Sequence, residues 1–346
     1  MGKDALILSP SGNGQSKIRK HLREEGKGLG FEVMQGKRMV IFGCGYVGRA
    51  LAEAALEEGC EVWIQSRNAA SLEAVAGVPE ACRVVGNLHE REWHGKLPGD
   101  WDYAVNLVSS AGGGLEGYRI SYLEGNRSIR EWARQGRVGR FLYTSATSVY
   151  PQSGGEWVDE DDVPGKEQLS SSGALLRQSE LELLGSDVFA EVVIARLAGI
   201  YGPGRHLYLN SLREGADAIP GDGSSWLNLI YLKDIVGALK RLLKAPMEEQ
   251  KAVYNVVDDE PSKKKEIVDW LATKLGMRPI PFDPTRKGAR AARRVSGGKL
   301  PNRRVSNRRV KEVTGWAPAY PNFRMGYEDL LDPTGQARRS QDRSVT

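Results

Sequence analysis

Three cysteines, Cys44, Cys60 and Cys82, form an odd and scattered set with no Cys-x-x-Cys pair. They build neither a disulfide framework nor a zinc site. The four histidines show no His-x-x-x-His pair, so no metal is expected. No run of about 18 apolar residues occurs, and no signal-peptide pattern opens the chain. A membrane partner is therefore not expected, and a reducing, cytoplasmic setting is. Charge of one sign is also in short supply: 49 Lys and Arg stand against 44 Asp and Glu, a net +5. That balance suits an anionic ligand and is too weak to argue for nucleic acid. No internal repeat is found.

What is present is length and apolar content. With 346 residues, 40% of them hydrophobic, the chain can bury the core of one large domain, or of a large one with a smaller partner. Residues 1–37 read as a flexible leader. A short apolar run at 5–8 leads into a Gly-Asn-Gly segment that lacks the spacing of a phosphate loop. From Arg38 the rhythm becomes strand, helix, strand. Strands are expected at 39–42, 61–64, 83–85, 103–108, 141–144 and 191–195. Helices are expected after Gly48 and near 118–136, 233–244 and 263–275. Strands alternating with helices imply an α/β fold, a Rossmann-type doubly wound parallel sheet with a smaller C-terminal substrate domain. The nucleotide-binding part is expected over 38–202 and about 227–259. The substrate domain would take about 203–226 and 260–332, and 333–346 would form a disordered tail. The acidic cluster at 159–162 reads as a solvated loop face. A basic stretch at 286–311, which includes Arg303 and Arg304, reads either as a solvated loop or as an anion-binding surface. It has no aromatic residue between Phe282 and Trp316 for base stacking.

The chemistry begins at the glycine turn 43–48. Gly43 lets the chain leave the strand, Gly45 removes a side chain where a pyrophosphate must approach, and Gly48 allows close helix packing. Cys44, Tyr46 and Val47 lie between them, and the helix start offers unpaired N–H groups to phosphates. The turn sits between a strand and a helix, with a second strand at the proper distance, which points to a nicotinamide dinucleotide. At the end of that second strand, where an acidic residue would hold a ribose 2′-hydroxyl, the sequence has Ser66, Arg67 and Asn68. No carboxylate is there to repel a 2′-phosphate and Arg67 can pair with one, so NADP is favoured over NAD.

Further motifs follow in order: Gly86-Asn87-Leu88, Tyr122 with Asn126, the segment 145–150, Arg196 with the Tyr-Gly-Pro-Gly turn at 201–204, the segment 228–234, and 254–261 with 315–318. Over about 38–332 the chain resembles the extended branch of the short-chain dehydrogenase/reductase superfamily, which includes nucleotide-sugar epimerases and dehydratases. The resemblance implies that Asn87 and Leu88 touch the adenine and that Leu107 and Val108 line the cofactor. It places Ser109, Asn126 and Arg205 at the substrate. It also implies a small-molecule substrate, phosphate-bearing as in a nucleotide sugar, and a homodimer through two helices flanking the sheet.

The family's Ser, Tyr and Lys are missing. Their positions hold Ala146, Ser170 and Ala174. An alkanol is a far weaker acid than a phenol, and general acid–base catalysis is worth about 10²–10⁴-fold. Ser145, Thr147 and Tyr150 on the same strand end are the candidates to substitute. Two classes stay open: an NAD(P)-dependent oxidoreductase or epimerase-like enzyme with a rearranged catalytic group, and a non-catalytic NADP-binding sensor or scaffold.

Overall fold

The computed structural model describes residues 33–110, 112–162, 169–286 and 301–332. Its centre is a sheet of seven strands: β1 (Arg38–Phe42), β2 (Glu61–Ser66), β3 (Arg83–Val85), β4 (Trp101–Asn106), β5 (Val138–Ala146), β6 (Phe189–Leu197) and β7 (Lys251–Val256). They lie in the order β3-β2-β1-β4-β5-β6-β7, every pair parallel. The order turns back on itself between β1 and β4. Beyond the carboxyl ends of strands at such a point lies the crevice where α/β sheets bind ligands.

Both faces of the sheet are covered, which is why β1 can bury four apolar residues in a row. On one face, α1 (Tyr46–Glu57) turns Val47, Leu51, Ala52 and Ala55 inward. Beside it α4 (Leu232–Lys244) contributes Ile235, Ala238, Leu239 and Leu242. On the other face, Ile129 and Trp132 of α2 (Gly125–Trp132) and Leu183 of α3 (Ser171–Leu184) pack on Phe141, Tyr143 and Ile194. The helix that ends in α2 starts at Gly114 and widens into one π-helical turn, Arg119–Glu124. Such turns cluster at functional sites.

A second hydrophobic core lies in the C-terminal half. Tyr201, Leu212, Ile219 and Tyr231 meet Leu271 of α5 (Lys264–Leu275) and Phe323 of α7 (Phe323–Leu331). The segment between these helices returns to the sheet. Arg304–Val305 pairs in parallel with Trp157–Val158. Val305, Trp316 and Val310 of α6 (Arg308–Thr314) belong to the sheet's core. Asn228 fastens this segment, donating to the Arg303 carbonyl at 3.0 Å and accepting from the Val305 N–H at 2.7 Å.

Several expectations change. The sheet gains a seventh strand, β7, at its edge. Residues 34–37 are docked rather than part of a flexible leader: Met34 is 2% exposed, its carbonyl accepts from the Cys60 thiol, and Lys37 pairs with Asp102. The rest of the leader (1–32) and the tail (333–346) lie outside the described residues, as does 287–300 of the basic stretch. The described part of that stretch is held in place. Arg304 sits 5.1 Å from the ring centres of both Trp157 and Trp226, and Lys311 pairs with Asp259. In the acidic cluster Glu160 is buried, not solvated, and accepts the Asn255 N–H at 2.7 Å. No helix among the described residues is long and apolar enough to cross a membrane.

Candidate functional site

The turn 43–48 leaves β1 at the crevice. Gly43 adopts φ +87°, and a Cβ there would stand 2.7 Å from Val108. A Cβ on Gly48 would collide with the Gly43 carbonyl oxygen. Gly45 differs: nothing lies within 4 Å of where its Cβ would be. The turn is therefore tight where it folds and open where a phosphate would approach. Gly45 is also the N-cap of α1, with no side-chain cap and no acidic residue in the first turn. The orphan N–H groups of the helix start are left for a ligand. Cys44 and Val47 pack inward, and burial pushes the Cys44 thiol up to about 11. Tyr46 is half-buried, and its hydroxyl donates to the Pro203 carbonyl at 3.0 Å.

The end of β2 is shaped by local hydrogen bonds. Ser66 Oγ accepts the Asn68 N–H, and Asn68 Oδ1 accepts the Ala70 N–H. Arg67 is exposed between them. Buried Gln65 donates to the Gly86 carbonyl and so fixes the strand end that carries Asn87 and Leu88. Asn87 is half-buried, and Leu88 is buried against Gly125. Leu107 and Val108 are half-buried after β4, where Asn106 Oδ1 accepts the Val108 N–H. These residues follow the carboxyl ends of the neighbouring strands β3, β2, β1 and β4, where the Gly43 N–H donates to the Gln65 carbonyl and Gly43 abuts Val108.

The catalytic candidates sit differently. Ser145 Oγ on β5 donates to Glu180 Oε1 on α3 at 2.7 Å, both residues buried. Tyr150 is 0% exposed. Its hydroxyl donates to Asn255 Oδ1 and accepts from Arg196 Nη1, both at 2.8 Å, and burial pushes it up to about 12. Thr147 is buried in a single 3₁₀ turn, Thr147–Val149. Its carbonyl accepts from Arg303 Nη2 at 2.6 Å, which brings the basic C-terminal segment to the crevice. Ser170 caps α3 by accepting the Gly173 N–H. Ser145 and Tyr150 thus spend their hydroxyls on a buried network centred on Arg196 and Glu180.

Of the expected substrate residues, Ser109 is exposed on the loop after β4, and Arg205 is exposed beside the glycine turn. Asn126 is buried and consumed. It accepts from Asn106 and donates to the Tyr122 carbonyl and to Ser179 Oγ, so it positions the helix pair rather than facing a ligand. Sequence reasoning passed over Tyr118. It lies one turn before Tyr122, their ring centres are 5.1 Å apart, and Tyr122 Oη accepts the Ser110 N–H. The signal was available as tyrosines at 118 and 122 with Asn126 four further on, all on one helix face.

Comparison with known proteins gives the chain its place. The family model described as NAD dependent epimerase/dehydratase family matches residues 39–256. Protein YeeZ of Escherichia coli (strain K12) is 31% identical over 161 residues, 46% of this chain and 55% of that protein. The chain thus matches little more than half the length of that curated relative. A solved structure from Silicibacter pomeroyi DSS, described as a functionally unknown conserved protein, is 26% identical. The likeness covers 85% of this chain and 98% of that one, with a TM-score of 0.66. MoeE5, solved in complex with UDP-glucuronic acid and NAD, shares the fold at 20% identity and a TM-score of 0.68, over 88% and 99% of the two chains. With the matched span running from Met39 in β1 to Val256 at the end of β7, well over half of the chain, this chain belongs to the NAD-dependent epimerase/dehydratase family.

Proposed function

We propose that the protein is an NADP-dependent, epimerase/dehydratase-like oxidoreductase that acts on an anionic small molecule such as a nucleotide sugar, with a rearranged proton-transfer group. The observation that carries the cofactor reading is the open space above Gly45 at an uncapped helix start. Arg67, exposed at the end of β2 with no carboxylate beside it on the strand end, supports NADP over NAD. When bound, the nicotinamide would supply or accept the hydride. A substrate with phosphate groups suits the net +5 charge and the arrival of Arg303 at the 147 turn. The family neighbour solved with UDP-glucuronic acid and NAD supports the same class.

For the proton, the phenol best placed is Tyr118. The contact of Asn126 with Ser179 at 2.8 Å sets the register of the two neighbouring helices. Tyr118 precedes Asn126 by eight residues and Ser171 precedes Ser179 by eight, and Ser171 belongs to the turn where the family carries its Tyr and Lys. The helix Gly114–Tyr118 packs against α3 there, and Tyr118 is half-buried. Its hydroxyl would exchange the proton that Ser170 cannot.

A second reading stands on a specific observation. Ala146, Ser170 and Ala174 supply no acid, and Ser145 and Tyr150 are locked in the buried network. A non-catalytic NADP-binding sensor or scaffold would have these features. Purified protein separates the two: calorimetry with NADP and NAD, followed by nicotinamide absorbance with a panel of carbonyls, alcohols and sugar nucleotides. Redox turnover with any member supports the enzyme. Tight cofactor binding with no turnover across the panel supports the module.

A further inference from the structure

The turn after β6 is tied to Tyr46 of the glycine turn at two points. The N–H groups of Gly202 and Arg205 each donate to the other's carbonyl at 3.0 Å, closing a tight loop. Tyr46, the first residue of α1, donates its hydroxyl to the Pro203 carbonyl at 3.0 Å. A Cβ on Gly202 would stand 2.5 Å from that hydroxyl, so glycine is what lets Tyr46 reach across. The Arg205 guanidinium then lies over the Tyr46 ring, 5.5 Å from its centre. A residue of the C-terminal half is thereby aimed at the helix start that would hold a pyrophosphate.

Arg205 is exposed, and among the described residues no carboxylate pairs with it. The first turn of α1 offers no acid to claim it either. A cofactor pyrophosphate brings two negative charges, and a helix N-terminus answers with only about half a positive one. A planar guanidinium matches phosphate oxygens in a two-pronged fit, and stacking on an aromatic face orients it beforehand.

We propose that Arg205 is a cofactor-binding residue, the counter-cation for the dinucleotide pyrophosphate on the glycine turn, with Tyr46 as the plate that aims it. This rests on the cofactor reading of that turn. It moves Arg205 from the substrate, where motif position had placed it, to the cofactor. Tyr46 is correspondingly a positioning residue.

The test is calorimetry on the full chain with two probes. ADP-ribose carries the pyrophosphate, and 2′-AMP does not. Wild type is expected to bind both. Arg205→Gln weakens ADP-ribose by about 10- to 100-fold, the range for a charge-assisted hydrogen bond, and leaves 2′-AMP unchanged. Arg205→Lys recovers part of the loss, and thermal melting is the same for all three because the side chain is exposed. Equal ADP-ribose affinity in wild type and Arg205→Gln would overturn the proposal, as would an equal loss for both probes. Failure of wild type to bind either probe is a separate result: it removes the cofactor reading of the glycine turn itself, and the proposal with it.

Discussion

Arg196 and Glu180 form a two-pronged ion pair sealed from water, with Nε to Oε1 at 2.9 Å and Nη2 to Oε2 at 2.7 Å. Their side chains are 1% and 0% exposed. The pair joins β6 to α3, and through Ser145, Tyr150 and Asn255 it reaches β5, β7 and the returning C-terminal segment. Removing one partner leaves a buried charge uncompensated, which costs about 3–5 kcal/mol. Glu180→Gln should therefore shift the urea midpoint sharply downward. The double replacement Glu180→Leu with Arg196→Met should recover much of that loss. An unchanged midpoint in the single variant would show that the pair does not hold these elements together.

The glycine turn separates a stability role from a binding role. Gly48→Ala drives a methyl into the Gly43 carbonyl and should lower stability by about 1–3 kcal/mol, the usual cost of overpacking. Gly45→Ala meets nothing within 4 Å, so its melting temperature should match wild type while dinucleotide affinity falls. Thermal melts paired with NADP calorimetry check both. A Gly45→Ala protein that binds NADP as wild type does would mean that no phosphate approaches there.

At the end of β2, Arg67→Gln should weaken NADP by about 10- to 100-fold, the worth of a charge-assisted contact to the 2′-phosphate, and leave NAD unchanged. Competition of the two cofactors in one titration reads the ratio directly. A parallel loss for both would place Arg67 away from the ribose.

Much of this was legible in the sequence because local rules and the fold agree. The buried run at 39–42, the turn at 43–48 and the helix that follows are dictated by hydrophobic pattern and glycine sterics, and each lies where expected. β7 was missed because Lys251–Val256 is an edge strand whose first three residues are only half-buried, so no continuous apolar run marks it. Docking of 34–37 depends on Met34 meeting Cys60, a contact local pattern does not encode. The substrate assignment of Asn126 and the catalytic assignments of Ser145 and Tyr150 rested on motif position. A motif fixes where a residue sits along a strand or helix, but not which buried partners consume its polar atoms. Arg303 at Thr147 and Arg205 at Tyr46 were hidden for the same reason, each being a contact across more than 150 positions of chain.

The proton group is open to a paired test. Tyr118→Phe should lower turnover by about 10²–10⁴-fold with melting temperature and NADP affinity unchanged, because only a half-buried hydroxyl is lost. Tyr150→Phe should do the reverse, lowering stability because Arg196 and Asn255 each lose a buried partner. Turnover is followed by nicotinamide absorbance with the panel substrate that reacts best. Full activity in Tyr118→Phe would remove this residue from the chemistry.

Asp258 sets a pH dependence of opposite sense to the common one. It is 2% exposed, its Oδ1 has no hydrogen-bond partner among the described residues, and Asp234, Asp259 and Glu260 add like charge nearby. Of these neighbours, Asp259 is paired with Lys311 at 3.0 Å. Burial, reinforced by these neighbours, raises the Asp258 carboxyl well above the usual carboxylate range. Glu160 is raised as well, again chiefly by burial. The folded state then holds a proton that the unfolded chain releases above about pH 3.9. Since stability changes with pH as the protons bound unfolded minus those bound folded, this difference is negative. Stability should therefore decline as pH rises from about 4 toward the raised folded-state pKa of Asp258. Asp258→Asn removes the titration while keeping the shape of the side chain. Its denaturant midpoint should change less between pH 5 and pH 8 than that of wild type, and at pH 8 it should lie above wild type. Parallel pH profiles for the two proteins would show that Asp258 is ionised in the folded chain and that the burial seen here does not govern its proton.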